Sequence, residues 1–104
     1  MAIKLPQLNT SRKIYKYTFG PIDRGIFATK IKGPRFLRVL DIQDQGYDFV
    51  LWAEVDTAEM GGDYTILLYA AYTGDPPPNP QEWSYFKTIQ ANLDGLVYHL
   101  YINN

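Results

Sequence analysis

The chain has 104 residues, of which 46% are hydrophobic, 15% aromatic and 20% charged, with a net charge of −1. This length and composition suit one globular domain and exclude a disordered chain, while the absence of cysteine excludes disulfides, thiolate metal sites and cysteine nucleophiles. No window approaches the roughly 18 apolar residues of a membrane-spanning helix, so we expect a soluble protein that binds no membrane.

Apolar residues alternate with period two through most of the chain, and no helical stripe lasts for three turns. The pattern therefore predicts strands and no helix. After an N-terminal arm (1–12), seven segments fit strands: 13–19, 26–32, 36–43, 49–56, 64–73, 83–90 and 96–102. Six or seven strands in a single domain (1–104) indicate an all-β fold, either an antiparallel sandwich or a small open barrel.

The segments 36–43 and 49–56 predict a hairpin whose turn centres on Gln45-Gly46, because glycine allows positive φ. We expect three cross-strand pairs on one apolar face: Ile42 with Phe49, Leu40 with Leu51, and Phe36 with Val55. The opposite face is half apolar and carries Leu37, Val39, Val50 and Trp52 beside Asp41 and Glu54.

The segment 64–73 is apolar on both faces, as expected of a central strand covered on both sides. The proline-rich loop that follows (74–82) can be neither strand nor helix, and its prolines predict an extended arm. Asp94-Gly95 then predicts a two-residue turn in the last hairpin. The expected pairs on its apolar face are Ile89 with Leu100, Ala91 with Tyr98, and Leu93 with Leu96.

Charge is unevenly distributed along the chain. Residues 1–38 hold nine basic residues and one acid, whereas residues 39–104 hold one basic residue and ten acids. Such asymmetry is compatible with a phosphate-binding face, or with two halves that lie side by side and neutralise each other. In one small domain we favour neutralisation.

Two features could suggest catalysis. Glu54 and Asp56 stand two positions apart, about 6.6 Å along a strand, but they lie where the strand enters a glycine-rich loop, so we expect solvated acids. His99 is the sole histidine, and we expect it on the less apolar face of the last hairpin. We therefore predict no enzyme, no cofactor and no metal site.

Two sets of residues are candidates for binding. Trp52, Leu37, Val39 and Val50 form a candidate protein-binding patch, unless a second sheet covers them as core. Tyr15, Lys16, Tyr17, Arg35 and Arg38 combine rings with positive charge, as a small anionic ligand requires. The pI near 5.7 disfavours a general nucleic-acid binder.

Four short motifs resemble a family of small proteins encoded by phages and prophages. They are KIYKY (13–17), LWAEVD (51–56), TG (73–74) and GLVYH (95–99), and the resemblance covers most of residues 12–101. It implies a phage origin and a β-rich fold, but no activity. The chain differs from that family in the PPPNP insert and around 57–63.

These observations lead us to expect a non-enzymatic phage accessory protein of the host cytoplasm. It would bind a host protein, such as a defence factor, or sequester a small nucleotide signal. The alternative is a virion component, such as a decoration, tail or baseplate protein, that joins copies of itself as a homo-oligomer.

Overall fold

The computed structural model describes residues 10–92 and 94–104, and within these ranges it contains strands and no helix. The strands are β1 (Arg12–Gly20), β2 (Gly25–Gly33), β3 (Arg35–Gln45), β4 (Asp48–Asp56), β5 (Gly62–Tyr72), β6 (Trp83–Gln90) and β7 (Val97–Asn103). The predicted all-β fold is thus confirmed. Most of the predicted N-terminal arm lies outside the described residues.

The strands form two antiparallel sheets that pack face to face and do not close into a barrel. The three-stranded sheet has the order β1-β4-β3, and the four-stranded sheet has the order β2-β5-β7-β6. The most apolar strand of each sheet lies in an interior position: β4 in the three-stranded sheet and β5 in the four-stranded sheet. The central position predicted for 64–73 is confirmed.

The core lies between the sheets and is built by alternate residues of each strand. Its fully buried members come from both sheets and include Leu51, Val55, Leu68 and Leu100. Because successive side chains point to opposite faces, the intervening residues form the two outer faces of the sandwich. The core thus leaves two outer sheet faces on which a partner could bind.

The β3–β4 hairpin has a different register from the predicted one. Gln45 pairs with Asp48 around a two-residue turn, and Gly46 has φ +84° at its first central position, as a type II′ turn requires. Ile42 therefore faces Leu51 rather than Phe49.

Two β-bulges in β3 change the register of the hairpin between the turn and its open end. The register shifts once between Phe36 and Arg38 and once between Val39 and Asp41, so Leu37 and Leu40 are the extra residues. The expected pairing of Leu40 with Leu51 is therefore wrong. The two shifts together restore the predicted pairing of Phe36 with Val55.

The last hairpin also differs by two residues from the expected register. Ile89 faces Tyr98, and the connection is wider than a two-residue turn because the Ala91 N–H donates to the Leu96 carbonyl (2.8 Å). A shift of two keeps the side chains from Lys87 onwards on their predicted faces, so Ile89, Tyr98 and Leu100 are buried as expected. A β-bulge between Tyr85 and Lys87 reverses the alternation before it and moves Tyr85 from the Ile89 face to the outer face. The expected contact of Leu93 lies outside the described residues.

The proline-rich connection between β5 and β6 crosses β7. Both strands are antiparallel to β7, so they run parallel to each other, and residues 73–82 must return along the sheet. The hydrogen bond between Thr73 Oγ1 and His99 Nε2 (2.8 Å) places the start of this connection on the outer face, because the other face is core. As predicted, no strand or helix forms between 74 and 82.

Candidate interaction faces

The outer face of the three-stranded sheet is dominated by charged residues that pair with one another. Glu54 lies on the central strand, and its side chain is only 18% exposed. It forms ion pairs with a residue of each neighbouring strand: Arg12 of β1 (3.5 Å) and Arg38 of β3 (3.1 Å). Arg35 pairs with Glu59 (3.4 Å). This face is therefore close to electrically balanced.

Neutralisation between the two halves of the sequence accounts for the uneven charge. Of the five ion pairs among the described residues, four join a basic residue before position 39 to an acid after it: Arg12–Glu54, Arg24–Asp75, Arg35–Glu59 and Arg38–Glu54. The fifth joins Lys87 to Asp41 at 2.8 Å. The interpretation favoured from the sequence is consistent with this arrangement.

Glu54 and Asp56 share a face but not the environment of an acid–base pair. Glu54 is held between two guanidinium groups. The pKa of Asp56 lies below its ordinary value, because the backbone N–H of Ala58 donates to its carboxylate and Ser11 adds a further hydrogen bond. A general acid requires a raised pKa, so Asp56 is unsuited to that role.

The predicted Trp52 patch is only partly assembled. Val50 shares the outer face with Trp52 and is buried, whereas Val39 lies opposite Ala53 and packs against the core. The expectation that Val39 lies on the Trp52 face is wrong, because Val39 lies between the two bulges, where the alternation of β3 is reversed. Leu37 is the extra residue of one of these bulges and is half-buried.

Trp52 itself is half-buried, and the side chain of Lys16 lies over its ring. The Lys16 ammonium lies 5.9 Å from the centre of its ring and donates to Gln45 Oε1 at 2.8 Å. A lysine over the ring removes part of the apolar surface that a partner would contact.

The structure does not bring together the five residues predicted to bind an anion. Tyr15 and Tyr17 lie on the core side of β1, and Lys16 lies on its outer side. Arg35 and Arg38 are on β3, beyond the whole width of β4, and both already pair with carboxylates. The pKa of Tyr17 is raised, first by burial and then by Tyr15, so its hydroxyl stays neutral.

The outer face of the four-stranded sheet carries a continuous group of aromatic rings, here called the aromatic row: Tyr69, Trp83, Tyr85 and Tyr101. Successive ring centres lie 5.6 Å (Tyr69–Trp83), 6.2 Å (Tyr69–Tyr101) and 5.6 Å (Tyr85–Tyr101) apart, with planes steeply inclined. Such edge-to-face contacts are favourable beyond simple burial. Trp83 is 8% exposed, whereas Tyr85 is 59% exposed. The aromatic row is therefore buried at Trp83 and accessible to a partner at Tyr85.

A chain of hydrogen bonds extends the aromatic row along the same face. His99 Nε2 bonds with Thr73 Oγ1 (2.8 Å), and its Nδ1 bonds with Thr88 Oγ1 (3.0 Å), which in turn bonds with the Tyr85 hydroxyl (2.6 Å). Both nitrogens of His99 are therefore occupied by threonine hydroxyls, with no carboxylate orienting the ring as a catalytic triad requires. This network fixes the rotamers around Tyr85.

The two outer faces differ sharply in charge. On the four-stranded sheet, the outward positions of the described strands carry charge only at Lys30, Lys32 and Asp63, all on β2 and the adjacent end of β5. Protein interfaces are depleted of charge at their centre and enriched in tyrosine and tryptophan. The four-stranded face has this composition, and the three-stranded face does not.

The aromatic row was not found by reading the sequence. The regular alternation of the last hairpin puts Tyr85 and Tyr101 on opposite faces, and only the bulge between Tyr85 and Lys87 brings them together. Tyr69 joins them because β5 pairs with β7, and neither strand order nor register can be read from local periodicity. The only feature of the sequence that pointed to this face was the presence of a tyrosine in each of these strands.

Among the described residues, no three His, Cys, Asp or Glu side chains are arranged to hold a metal ion. Those residues also include no helix of the length and apolarity needed to cross a membrane.

The fold and its faces define an antiparallel β-sandwich with one charge-balanced and one aromatic outer face. The chain belongs to the family described as "Domain of unknown function (DUF7352)", whose model matches residues 10–104. Neither the search of curated proteins nor that of solved structures found a match.

Proposed function

We propose that this chain is a non-enzymatic binding protein that engages another protein through the aromatic row. The observation that carries the proposal is a set of four contacting rings on an outer sheet face whose charges lie at one edge. Tyrosine and tryptophan are enriched among the few residues that dominate the binding energy of protein interfaces, since they bury large rigid surfaces at low entropic cost.

The size of the face favours a transient partner over an obligate dimer. Four strands spaced by about 4.8 Å, with about seven residues rising about 3.3 Å each, cover roughly 440 Å². This area is an upper bound, because the connection 73–82 crosses β7 on this face. Two such surfaces in contact bury about 900 Å², which is typical of transient encounters and well below the 2,000 Å² or more of obligate dimers. We therefore propose a different protein, rather than a second copy, as the occupant.

Charge at the edge of the face specifies the partner further. Lys30 and Lys32 project from the outer side of β2 opposite Thr65 and Asp63, at the end of the face away from Tyr69, and neither has an ion pair among the described residues. A complementary partner has an apolar centre and acidic groups along the side that meets β2.

The proposed setting is a phage protein that acts on a host protein, such as a defence factor, in the host cytoplasm. The resemblance of KIYKY, LWAEVD, TG and GLVYH to phage and prophage proteins supports this setting. Sequestration of a nucleotide is less well supported, because Arg35 and Arg38 are ion-paired and lie across the sheet from Lys16.

Site-specific photo-crosslinking tests the proposal. The crosslinking amino acid p-benzoylphenylalanine is placed at position 85 or at position 14, since Tyr85 (59% exposed) and Ile14 (65% exposed) are matched in exposure but lie on opposite outer faces. We expect position 85 to form an adduct with a distinct host protein, identified by mass spectrometry, and position 14 to form none.

Three results would overturn it. Adducts from position 14 alone would place the interface on the other face. Adducts at position 85 that contain only a second copy of this chain would point to the self-associating virion component instead. Absence of any adduct from both positions would remove the support for a partner on either face.

A further inference from the structure

Two strands of each sheet have a free edge: β1 and β3 in the three-stranded sheet, and β2 and β6 in the four-stranded sheet. A strand at a sheet edge leaves a row of backbone N–H and C=O groups without a partner in the sheet, and an extended segment of another chain can pair with them. The regularity and the surroundings of each edge strand therefore decide where such a segment can add.

The edges formed by β3 and β6 are irregular and are linked to each other by a side chain. β3 contains two β-bulges, and β6 contains one between Tyr85 and Lys87. The Lys87 ammonium donates to Asp41 (2.8 Å) and to the Ile42 carbonyl (3.1 Å), so it joins β6 to β3 across that side of the sandwich. Bulges turn a strand away from regular pairing, which disfavours both edges as sites for a further strand.

The free edge of β2 is regular over its whole length. All nine residues, Gly25–Gly33, pair with β5 in one unbroken register, and the strand contains no proline. The other three edge strands that the structure describes each have a register shift, which in β1 falls between Thr18 and Gly20. β2 is therefore the edge strand to which an extended segment can add without distortion.

The core side of β1 is uncovered next to this edge. Tyr15 pairs with the fully buried Ala53 and so points to the core side, yet it is 39% exposed. Lys13 points to the same side and is also exposed. β1 packs against β2, the last strand of the four-stranded sheet, so that sheet ends beside these two side chains. A fifth strand added to β2 would cover them.

The charge on this side of the sandwich specifies the added segment. β1 and β2 together carry no acid and five basic residues: Arg12, Lys13, Lys16, Lys30 and Lys32. Arg12 is the only one of them with an ion pair among the described residues, and Asp63, which lies opposite Lys32, forms none. Pairing β2 with β2 of a second copy would bring two such basic sets together, whereas an acidic segment is complementary to them.

We propose that the partner engaged by the aromatic row also adds an extended, acidic segment to the free edge of β2 as a fifth strand. This inference rests on the proposed function, because the partner is the same protein. In an antiparallel arrangement, acidic side chains of the segment lie opposite Lys30 and Lys32, and an apolar side chain lies opposite Ile26. Ile26 is 62% exposed and pairs with Tyr69, so it connects the fifth strand to the aromatic row.

A synthetic peptide tests this edge directly. The peptide acetyl-EVETTVV-amide has its two glutamates opposite Lys32 and Lys30, and its last valine opposite Ile26, when it pairs antiparallel with residues 26–32. In a titration followed by two-dimensional ¹H–¹⁵N NMR, we expect saturable shifts that are largest in residues 25–33. Alternate amides of β2 should also exchange their hydrogens more slowly, because every second N–H gains a partner.

Charge reversal tests the predicted register. Lys30→Glu replaces an attractive cross-strand pair by a repulsive one and should weaken binding of this peptide roughly fivefold. The same variant should bind acetyl-KVKTTVV-amide more tightly than the wild type does. Lys16→Glu is the matched control, since it reverses one charge on the outer side of β1, in the other sheet, and should leave both affinities near those of the wild type.

Four results would overturn the inference: a titration that never saturates, shifts centred outside β2, unchanged hydrogen exchange in β2, or equal effects of Lys30→Glu and Lys16→Glu. Crosslinking at position 85 reports on β6, at the opposite edge of the sheet, so the two tests fail separately. An adduct at position 85 without peptide binding would keep the aromatic row as the interface and remove the fifth strand. Peptide binding without an adduct would remove the aromatic row and leave β2 as an edge that accepts a strand.

Discussion

Replacing Glu54 by glutamine tests whether the charged outer face is held together by ion pairs. Glu54 is the shared acceptor for Arg12 and Arg38, whose side chains are 58% and 70% exposed. Exposed pairs of this kind contribute about 0.5 kcal/mol each.

The expected loss is therefore about 1 kcal/mol in the free energy of unfolding, measured by urea denaturation at low salt. In 1 M NaCl the Debye length is about 3 Å, so the difference from wild type should shrink by more than half. Glu59→Gln is the matched control, since its single pair with Arg35 is more exposed and should contribute less. A loss above about 3 kcal/mol, or one independent of salt, would refute this reasoning, because exposed pairs do not reach that size.

Two further predictions concern the core and the acid response. Leu51→Ala removes a fully buried side chain from the interior strand of the three-stranded sheet, and should cost about 3–4 kcal/mol in chemical denaturation. The pKa of Asp41 lies below its ordinary 3.8, chiefly because Lys87 donates a hydrogen bond to its carboxylate. The pair of Asp41 and Lys87 therefore stabilises the fold above about pH 4. This stabilisation is lost as the pH falls through the pKa of Asp41 in the folded state. Lys87→Met should therefore be less stable than wild type at pH 7, and the difference should narrow below pH 4; a difference that widens in acid would contradict this.

Much of the fold follows from local patterning, for a physical reason. Alternation assigns each side chain to a face, and a register error of two residues leaves that assignment intact. Ile89 and Leu100 were therefore placed correctly in the core, although their expected pairing was wrong.

Bulges are where the same reasoning fails. Leu37 and Leu40 each add a residue to β3 and reverse its alternation, so Val39 turns from the predicted outer face to the core. Nothing in the residues 35–45 distinguishes a bulged strand from a regular one, because the bulge is set by pairing with β4.

Candidate sites were harder to predict than the fold, because they depend on which strands become neighbours. Tyr69 joins Tyr101 through the pairing of β5 with β7, at a separation of 32 positions in the sequence. The predicted anion set failed to assemble for the converse reason: Lys16 and Arg38 are separated by β4. Long-range pairing, rather than residue type, determines both outcomes.

The central claim is that the aromatic row, and not the charged face, binds the partner. The most direct test uses the partner that is identified by crosslinking at position 85. It compares the dissociation constants of the complexes that this partner forms with the wild type and with the variants Tyr85→Ala, Tyr85→Phe and Ile14→Ala. The account predicts that Tyr85→Ala weakens binding by roughly tenfold or more, as expected for an accessible interface tyrosine, while Tyr85→Phe keeps the ring and Ile14→Ala on the opposite face stays near wild type. Unchanged affinity for Tyr85→Ala together with a loss for Ile14→Ala would contradict it.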